Sequence, residues 1–411
     1  MPWYISLPGS VIIIFVLLSF YKKLSIGLIM FLGGITLGVL DGLSLSDLLI
    51  VVRASLLNNV TIFLMVSILL LGVLGHVLTA TGSFDIMIKS LVVIIADLRL
   101  VAASLPMLIG MLTVHGGAIL SAPMIKELGA RLNLPAQRQA SVNLWFRHIL
   151  YFMLPIYPGL ILASELSGIN IASFVLHNLH LTIIGFGCAF FYLFRGLPKC
   201  GFYGSVSRDR GQALTFLRSL LPVLLVISLV LFLDLFFPLA LSLGILLALL
   251  NYLPHQDWQK TIYFRLKTML LPGIKIKVAF VIVGIMFFKE MLEYTAVVLG
   301  FTNLLLSLEV PIIYLIVAVP FLVGVLIGDN FAGVGILFPL FMPLLPKEGT
   351  TFVSYLALLY VSSTAGYIIS PAHLCFSLTK EYFNVDIKSI VKEIFPLLII
   401  ILSVAFITAL L

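Results

Sequence analysis

Residues 326–339 read Leu-Ile-Gly-Asp-Asn-Phe-Ala-Gly-Val-Gly-Ile-Leu-Phe-Pro, in an apolar segment running from Pro311 to about Pro346. A carboxylate at such depth is costly and marks function by default. Asp329 has two readings: an N-cap for the helix that follows, and a group that titrates or holds a coupling cation. Asn330 reads as a ligand or a cap. Gly328, Gly333 and Gly335 permit a turn and close approach of a solute. Upstream, Thr-Val-His-Gly-Gly-Ala-Ile-Leu at 113–120 supplies His115, Gly116 and Gly117. The His115 imidazole can carry a proton near neutrality, or stay neutral and bond loop carbonyls. A helix leaving either tip would present free N–H groups to an anion.

Two further stretches join these tips. Phe-Met-Leu-Pro-Ile-Tyr-Pro-Gly holds Pro155 and Pro158; Ile-Ile-Ser-Pro-Ala-His-Leu-Cys holds Pro371. Proline removes a donor and frees a carbonyl upstream. The freed groups, with Tyr151, Tyr157, Tyr367, Ser370 and His373, are expected to line a site. Arg147, inside an apolar span, calls for a carboxylate or a substrate anion; snorkelling to the interface is the alternative. Lys289 and Glu293 are spaced for an i, i+4 pair. His177 and His180 have helical i, i+3 spacing, yet no nearby carboxylate, so an interfacial role is favoured over a metal site. Cys188, Cys200 and Cys375 lack metal or redox spacing and receive no role. No metal or cofactor is expected, apart from H+ or Na+ as a coupling or transported ion.

The elements that must hold these residues are set by composition. The chain is 62% hydrophobic and 10% charged, with mean hydropathy +1.22; soluble domains carry roughly 25% charge. Stretches of about 20 apolar residues recur, the length that spans a bilayer. Ten spans are expected near 3–20, 24–41, 58–80, 139–165, 174–196, 213–232, 236–253, 277–295, 352–378 and 393–411. The stretches 98–130 and 311–345 are interrupted by glycine and polar residues at mid-length and read as re-entrant hairpins. Segments 42–57 and 293–309 read as amphipathic or interfacial, and 197–212 as a cytoplasmic loop. The first span has its lysines after the apolar run, which marks a retained helix. With both hairpins re-entrant, nearly all Lys and Arg fall on one side, leaving Arg53 and Lys347 on the other, as the positive-inside bias requires. The first hairpin then enters from the cytoplasm and the second from outside, with both termini outside. The net charge of +7 belongs to this bias and implies no nucleic acid.

Rare residues repeat at a fixed spacing. Pro106 and Gly110 precede Pro320 and Gly324 by one common interval. Beyond the tips a slightly longer interval holds throughout. It separates Gly117 from Gly333, Pro123 from Pro339, Tyr151 from Tyr367, Pro155 from Pro371 and Glu165 from Glu381. Residues 1–200 and 201–411 are therefore expected to form two repeats of inverted topology, with a solute site at their midplane interface. Two hairpins with glycine-rich tips, each followed by a proline-broken helix, resemble the ion transporter superfamily, in an uncharacterised prokaryotic branch. That superfamily includes sodium/dicarboxylate symporters, gluconate permeases and citrate carriers. The tips here lack the Ser-Asn-Thr of the dicarboxylate branch, so the solute and coupling ion stay unnamed. The resemblance implies a homodimer in the prokaryotic inner membrane and an elevator motion of a transport unit past a scaffold.

The expected fold is an all-α polytopic membrane protein of about ten spans and two re-entrant hairpins. The expected function is secondary transport of a small anionic solute coupled to H+ or Na+. No phosphate loop is present for ATP hydrolysis. An intramembrane enzyme is the competing class, but position 326 is Leu rather than the Gly of a G-x-G-D protease, and no serine nucleophile pairs with a histidine. A channel or lipid flippase is the third. The expected site comprises His115, Gly116, Gly117, Arg147, Pro155, Tyr157, Asn330, Gly333, Ser370, Pro371 and His373 for solute, and Asp329 with His115 for the ion.

Overall fold

The computed structural model describes residues 9, 12–14, 24–111, 117–197, 210–251, 268, 270–295, 297–346 and 349–411. The span expected over 3–20 and the cytoplasmic loop lie largely outside them. His115 and Gly116 lie wholly outside.

Helix is the regular structure of the described residues. The first group is α1 (Ile26–Asp41), α2 (Leu45–Leu57), α3 (Asn59–Ala80) and α4 (Ser83–Ile94). Then come α5 (Leu98–Gly110), α6 (Ala118–Arg131), α7 (Ala136–His148), α8 (Pro158–Ser167) and α9 (Ile171–Leu193). The second group is α10 (Arg210–Leu233), α11 (Phe237–Leu250), α12 (Ile276–Tyr294), α13 (Val297–Ser307), α14 (Ile312–Ile327) and α15 (Asn330–Phe341). It closes with α16 (Thr350–Ile369), α17 (Leu374–Phe383) and α18 (Ile387–Leu410). Six stretches among the described residues are long and apolar enough to cross a membrane, and shorter apolar helices accompany them. The chain is a multi-pass, all-helical membrane protein.

Local chemistry sets many of the boundaries. Ser44 and Asp47 form a reciprocal capping box at α2, satisfying two otherwise orphaned donors. Asn58, Asp97, Asn170 and Asp386 cap α3, α5, α9 and α18 through their side chains. The Ser389 hydroxyl and amide hold the Asp386 carboxyl below its ordinary value. The helix α4 was not anticipated from hydropathy. Its buried Phe84, Met87, Ile88 and Leu91 follow the i, i+3, i+4, i+7 pattern of one helical face, too short to register as a span.

Packing separates a periphery from a centre. An 18-residue window within Thr350–Phe383 is 83% buried, against 28–39% for such windows in the other long spans. The broken pair α16–α17 is therefore the middle of the molecule. The first hairpin, α5–α6, packs on α7, and the second, α14–α15, packs on α16. Outside them α1 lies along α12. A Cβ at Gly27 would strike the Phe280 carbonyl, and one at Gly284 the Gly27 carbonyl. Small residues allow such backbone approach in lipid, where packing drives association.

Element starts keep the spacing seen in the sequence. The start of α4 precedes that of α13, and the start of α5 that of α14, by the same interval that separates Pro106 from Pro320. The starts of α8 and α17, and of α9 and α18, keep the longer interval that separates Tyr151 from Tyr367. Gly168 and Asn384 end α8 and α17 with φ of 69° and 51°, the left-handed stop that closes many helices.

Candidate functional site

The two proline-containing stretches are unwound. Between α7 and α8 the chain passes through a 3-10 turn, Ile149–Phe152, then an irregular stretch to the N-cap Tyr157. Between α16 and α17 it passes from Ser370 through Pro371 and Ala372 to the N-cap His373. Pro155 cannot return a hydrogen bond to the Tyr151 carbonyl four residues back. The Tyr360 hydroxyl donates to that carbonyl instead, at 2.8 Å. Asn178 donates to the Phe152 carbonyl at 2.9 Å and Thr182 to that of Ile149 at 3.4 Å. These carbonyls at the first break, expected to line the site, thus each accept a hydrogen bond from a neighbouring side chain. In a low-dielectric interior a bare carbonyl is costly, and neighbouring side chains have taken these up.

What faces inward is a set of side chains. The Tyr151 and Tyr157 rings are 4.0 Å apart, as are those of Tyr367 and His373. Tyr151 and Tyr367 stack across the two breaks with centroids 5.9 Å apart and planes 19° apart. His148 packs on both Tyr151 and His373, at 4.9 and 4.7 Å. The Tyr157 hydroxyl is buried without a hydrogen bond. Tyr157, His373, Arg147 and Ser370 are all buried.

Arg147 does not snorkel: it is 1% exposed. Its guanidinium lies where a Cβ on Gly117 would be, at the start of α6, and it reaches the Cys375 thiol. Its own carbonyl presses on Gly110. The second half makes the same pair of contacts through Ser363, whose carbonyl presses on Gly324 and whose hydroxyl faces Gly333. Each hairpin is therefore seated on the helix that follows it by two glycines.

At the second tip, Gly328 has φ of 65°, a left-handed conformation that glycine adopts without steric cost. The Asp329 side chain caps α15 by accepting from the Ala332 amide at 2.8 Å, so the capping reading holds geometrically. Asn330 donates to Thr364 at 2.9 Å, and its carboxamide lies on Gly159 of α8. Ser370 ties the second break to the hairpin through the Val325 carbonyl, at 2.5 Å.

Several participants were not anticipated. Asn143 of α7 donates to the Ala118 carbonyl and to Thr379, and accepts from Ser121. It thereby joins the first hairpin to α17. Cys375, given no role above, sits among His148, His373 and Arg147. His180 bonds Thr408 at 3.0 Å, a helix-to-helix contact. Lys289 forms the expected pair with Glu293 at 2.7 Å and also reaches Glu290. A separate cavity of about 380 Å³, lined in part by Glu165, Asn170 and Asp234, opens between α8 and the α10–α11 turn.

Over residues 5–411 the chain matches the family described as Protein of unknown function (DUF401), and it belongs to that family. No functionally curated protein matches it. Among solved structures it is similar to the YdaH transporter of Alcanivorax borkumensis, whose topology is described as unusual. The TM-score is 0.60 at 14% identity, over 97% of each chain. At that identity the likeness is one of fold.

Proposed function

We propose that this DUF401 protein is a secondary active transporter of a small anionic solute, driven by a proton or sodium gradient. The observation that carries it is the meeting of two helix breaks and two hairpins around one buried polar cluster. Non-helical backbone at membrane depth is tolerated only when buried in protein or facing a wet cavity. Two such breaks on facing helices fit the discontinuous helices of transporter sites. The fold likeness to a transporter supports the same reading.

The two halves, 1–200 and 201–411, are proposed as inverted repeats of the ion transporter superfamily kind. The recurring starts of the elements, and the matched seating of Gly110 on Arg147 and Gly324 on Ser363, support this. Solute would bind near Arg147, Tyr157, Ser370, Pro371 and His373, against the tips at Gly116–Gly117 and Asn330–Gly333, with Pro155 shaping the first break. Arg147 favours an anion because a buried guanidinium pairs best with a negative group. Asp329, with His115, would hold the coupling ion. An anion beside Asp329 favours protonation or cation capture there, because adjacent negative charges repel. Loading of solute and ion is then linked, and linkage is reciprocal. The hairpins and broken helices would move as an elevator past a scaffold that dimerises, in a prokaryotic inner membrane with both termini outside.

The test is uptake into proteoliposomes, screened over organic and inorganic anions with imposed proton or sodium gradients. Accumulation that collapses with the gradient supports the proposal. Downhill flux indifferent to both gradients, or lipid transfer between leaflets, overturns it.

A further inference from the structure

We infer that His148, His373 and Cys375 form a binding site for one soft transition-metal ion of the Zn2+ class. The inference does not rest on transport. The three ligand atoms lie within 4.8 Å of one another, and all three residues are buried. One comes from the end of α7, one is the N-cap of α17 and one lies in its first turn. The site therefore bridges both helix breaks, which is why no spacing in the sequence announces it.

The donors fix the metal class. Two imidazoles and a thiol suit Zn2+ and its soft neighbours, whereas Mg2+ and Ca2+ require oxygen ligands. His148 is already oriented. Its Nδ1 lies 2.7 Å from the Leu144 carbonyl; a carbonyl only accepts, so Nδ1 carries the proton and Nε2 keeps its lone pair. That backbone anchor is the outer partner expected of a metal-binding histidine. Nε2 is wholly buried without a well-formed hydrogen bond, and the group it faces is the Cys375 thiol. The His148 and His373 rings meet edge to face, with centroids 4.7 Å and planes 83° apart.

Bonds of about 2.0–2.3 Å give a tetrahedral edge of roughly 3.5 Å. Loading the ion therefore requires the ligand atoms to close by at most about 1.3 Å. On binding, the Cys375 S–H proton leaves to solvent and a metal–sulfur bond replaces it, while both imidazoles remain neutral. The Arg147 guanidinium lies at the thiol, so the loaded site, with a dication on one thiolate and two neutral imidazoles, carries net positive charge. Three protein ligands leave a fourth position, which the nearby Arg147 charge suits to an anion. The competing pair, His177 and His180, offers two ligands, and His180 is already bonded to Thr408.

The test uses the full-length chain in detergent, carrying C188S and C200S so that Cys375 is its one thiol. Titration with Co2+ should give one ion per chain and a thiolate-to-cobalt charge-transfer band, and Zn2+ should displace it. C375S should lose the band. H148Q and H373Q should each weaken binding at least about tenfold, the least that loss of even an outer partner costs. H177Q/H180Q should leave stoichiometry and band unchanged. Thermal melting without metal checks that each variant is folded. The inference is overturned if the parent shows no band, or if binding survives in C375S or is lost with H177Q/H180Q.

Discussion

The rings of Tyr151 and Tyr367, far apart in the chain, stack with centroids 5.9 Å apart and planes 19° apart. Each carries its own partner at 4.0 Å, Tyr157 in one half and His373 in the other. Those partners are separated along the chain by the same interval as the two tyrosines. Each is also the N-cap of the half-helix after its break. The two breaks thus meet through equivalent positions.

Tyr360 supports that meeting from outside, because its hydroxyl satisfies the carbonyl that Pro155 leaves open. Tyr360→Phe removes the donor and strands a buried acceptor. The expected cost is about 1–3 kcal/mol, read as a lower melting temperature in detergent. Unchanged melting would mean that another group takes up the Tyr151 carbonyl.

Gly110 and Gly117 both abut Arg147 but meet different parts of it. Gly110→Ala drives a methyl into the Arg147 backbone carbonyl, and overpacking of this kind costs about 1–3 kcal/mol. Gly324→Ala should match it, because the Ser363 carbonyl stands in the same relation. Gly117→Ala meets only the end of a flexible side chain. It should spare the melting temperature while lowering solute uptake about tenfold, equivalent to roughly 1.4 kcal/mol. Equal melting losses at 110 and 117 would count against this division.

Asp329→Asn keeps the size and capping oxygen of the side chain but cannot titrate. The variant should fold, still bind solute, and lose gradient-driven accumulation. Wild-type accumulation across about pH 5.5–8.5 would leave Asp329 a cap alone, and would move the search for the coupling group to His115. Asp329→Ala should additionally cost about 1 kcal/mol of stability through loss of the cap.

Sidedness follows from the charge bias. Cysteines placed at Glu127, exposed in α6, and at Leu308, exposed after α13, should label from opposite faces of the membrane. The C188S/C200S background leaves only the buried Cys375 beside them. Equal labelling of both from outside would refute this layout, because an odd number of spans is expected between the two positions.

The sequence by itself determined the membrane class, most helix positions and the two breaks. Chain-local physics governs these: apolar length sets a span, proline removes a donor, and glycine permits a close turn. The same locality made the recurring intervals legible, because glycine and proline mark backbone geometry directly. Arg147, Tyr157, Asn330, Ser370 and His373 were identifiable as polar groups in apolar surroundings, which are too costly to be incidental. Tertiary structure alone decided their partners. Gly117 seats the Arg147 guanidinium and Gly159 the Asn330 carboxamide, while Tyr360, Asn178 and Thr182 claim the carbonyls of the first break. Cys375 shows the limit most clearly. No spacing links it to His148, which lies in the other half of the chain. Only the folding of one broken helix against the other brings thiol and imidazole within 4.8 Å. Distances along a chain constrain contacts within a helix, whereas contacts between helices depend on how whole faces pack, and that is a property of the assembled fold.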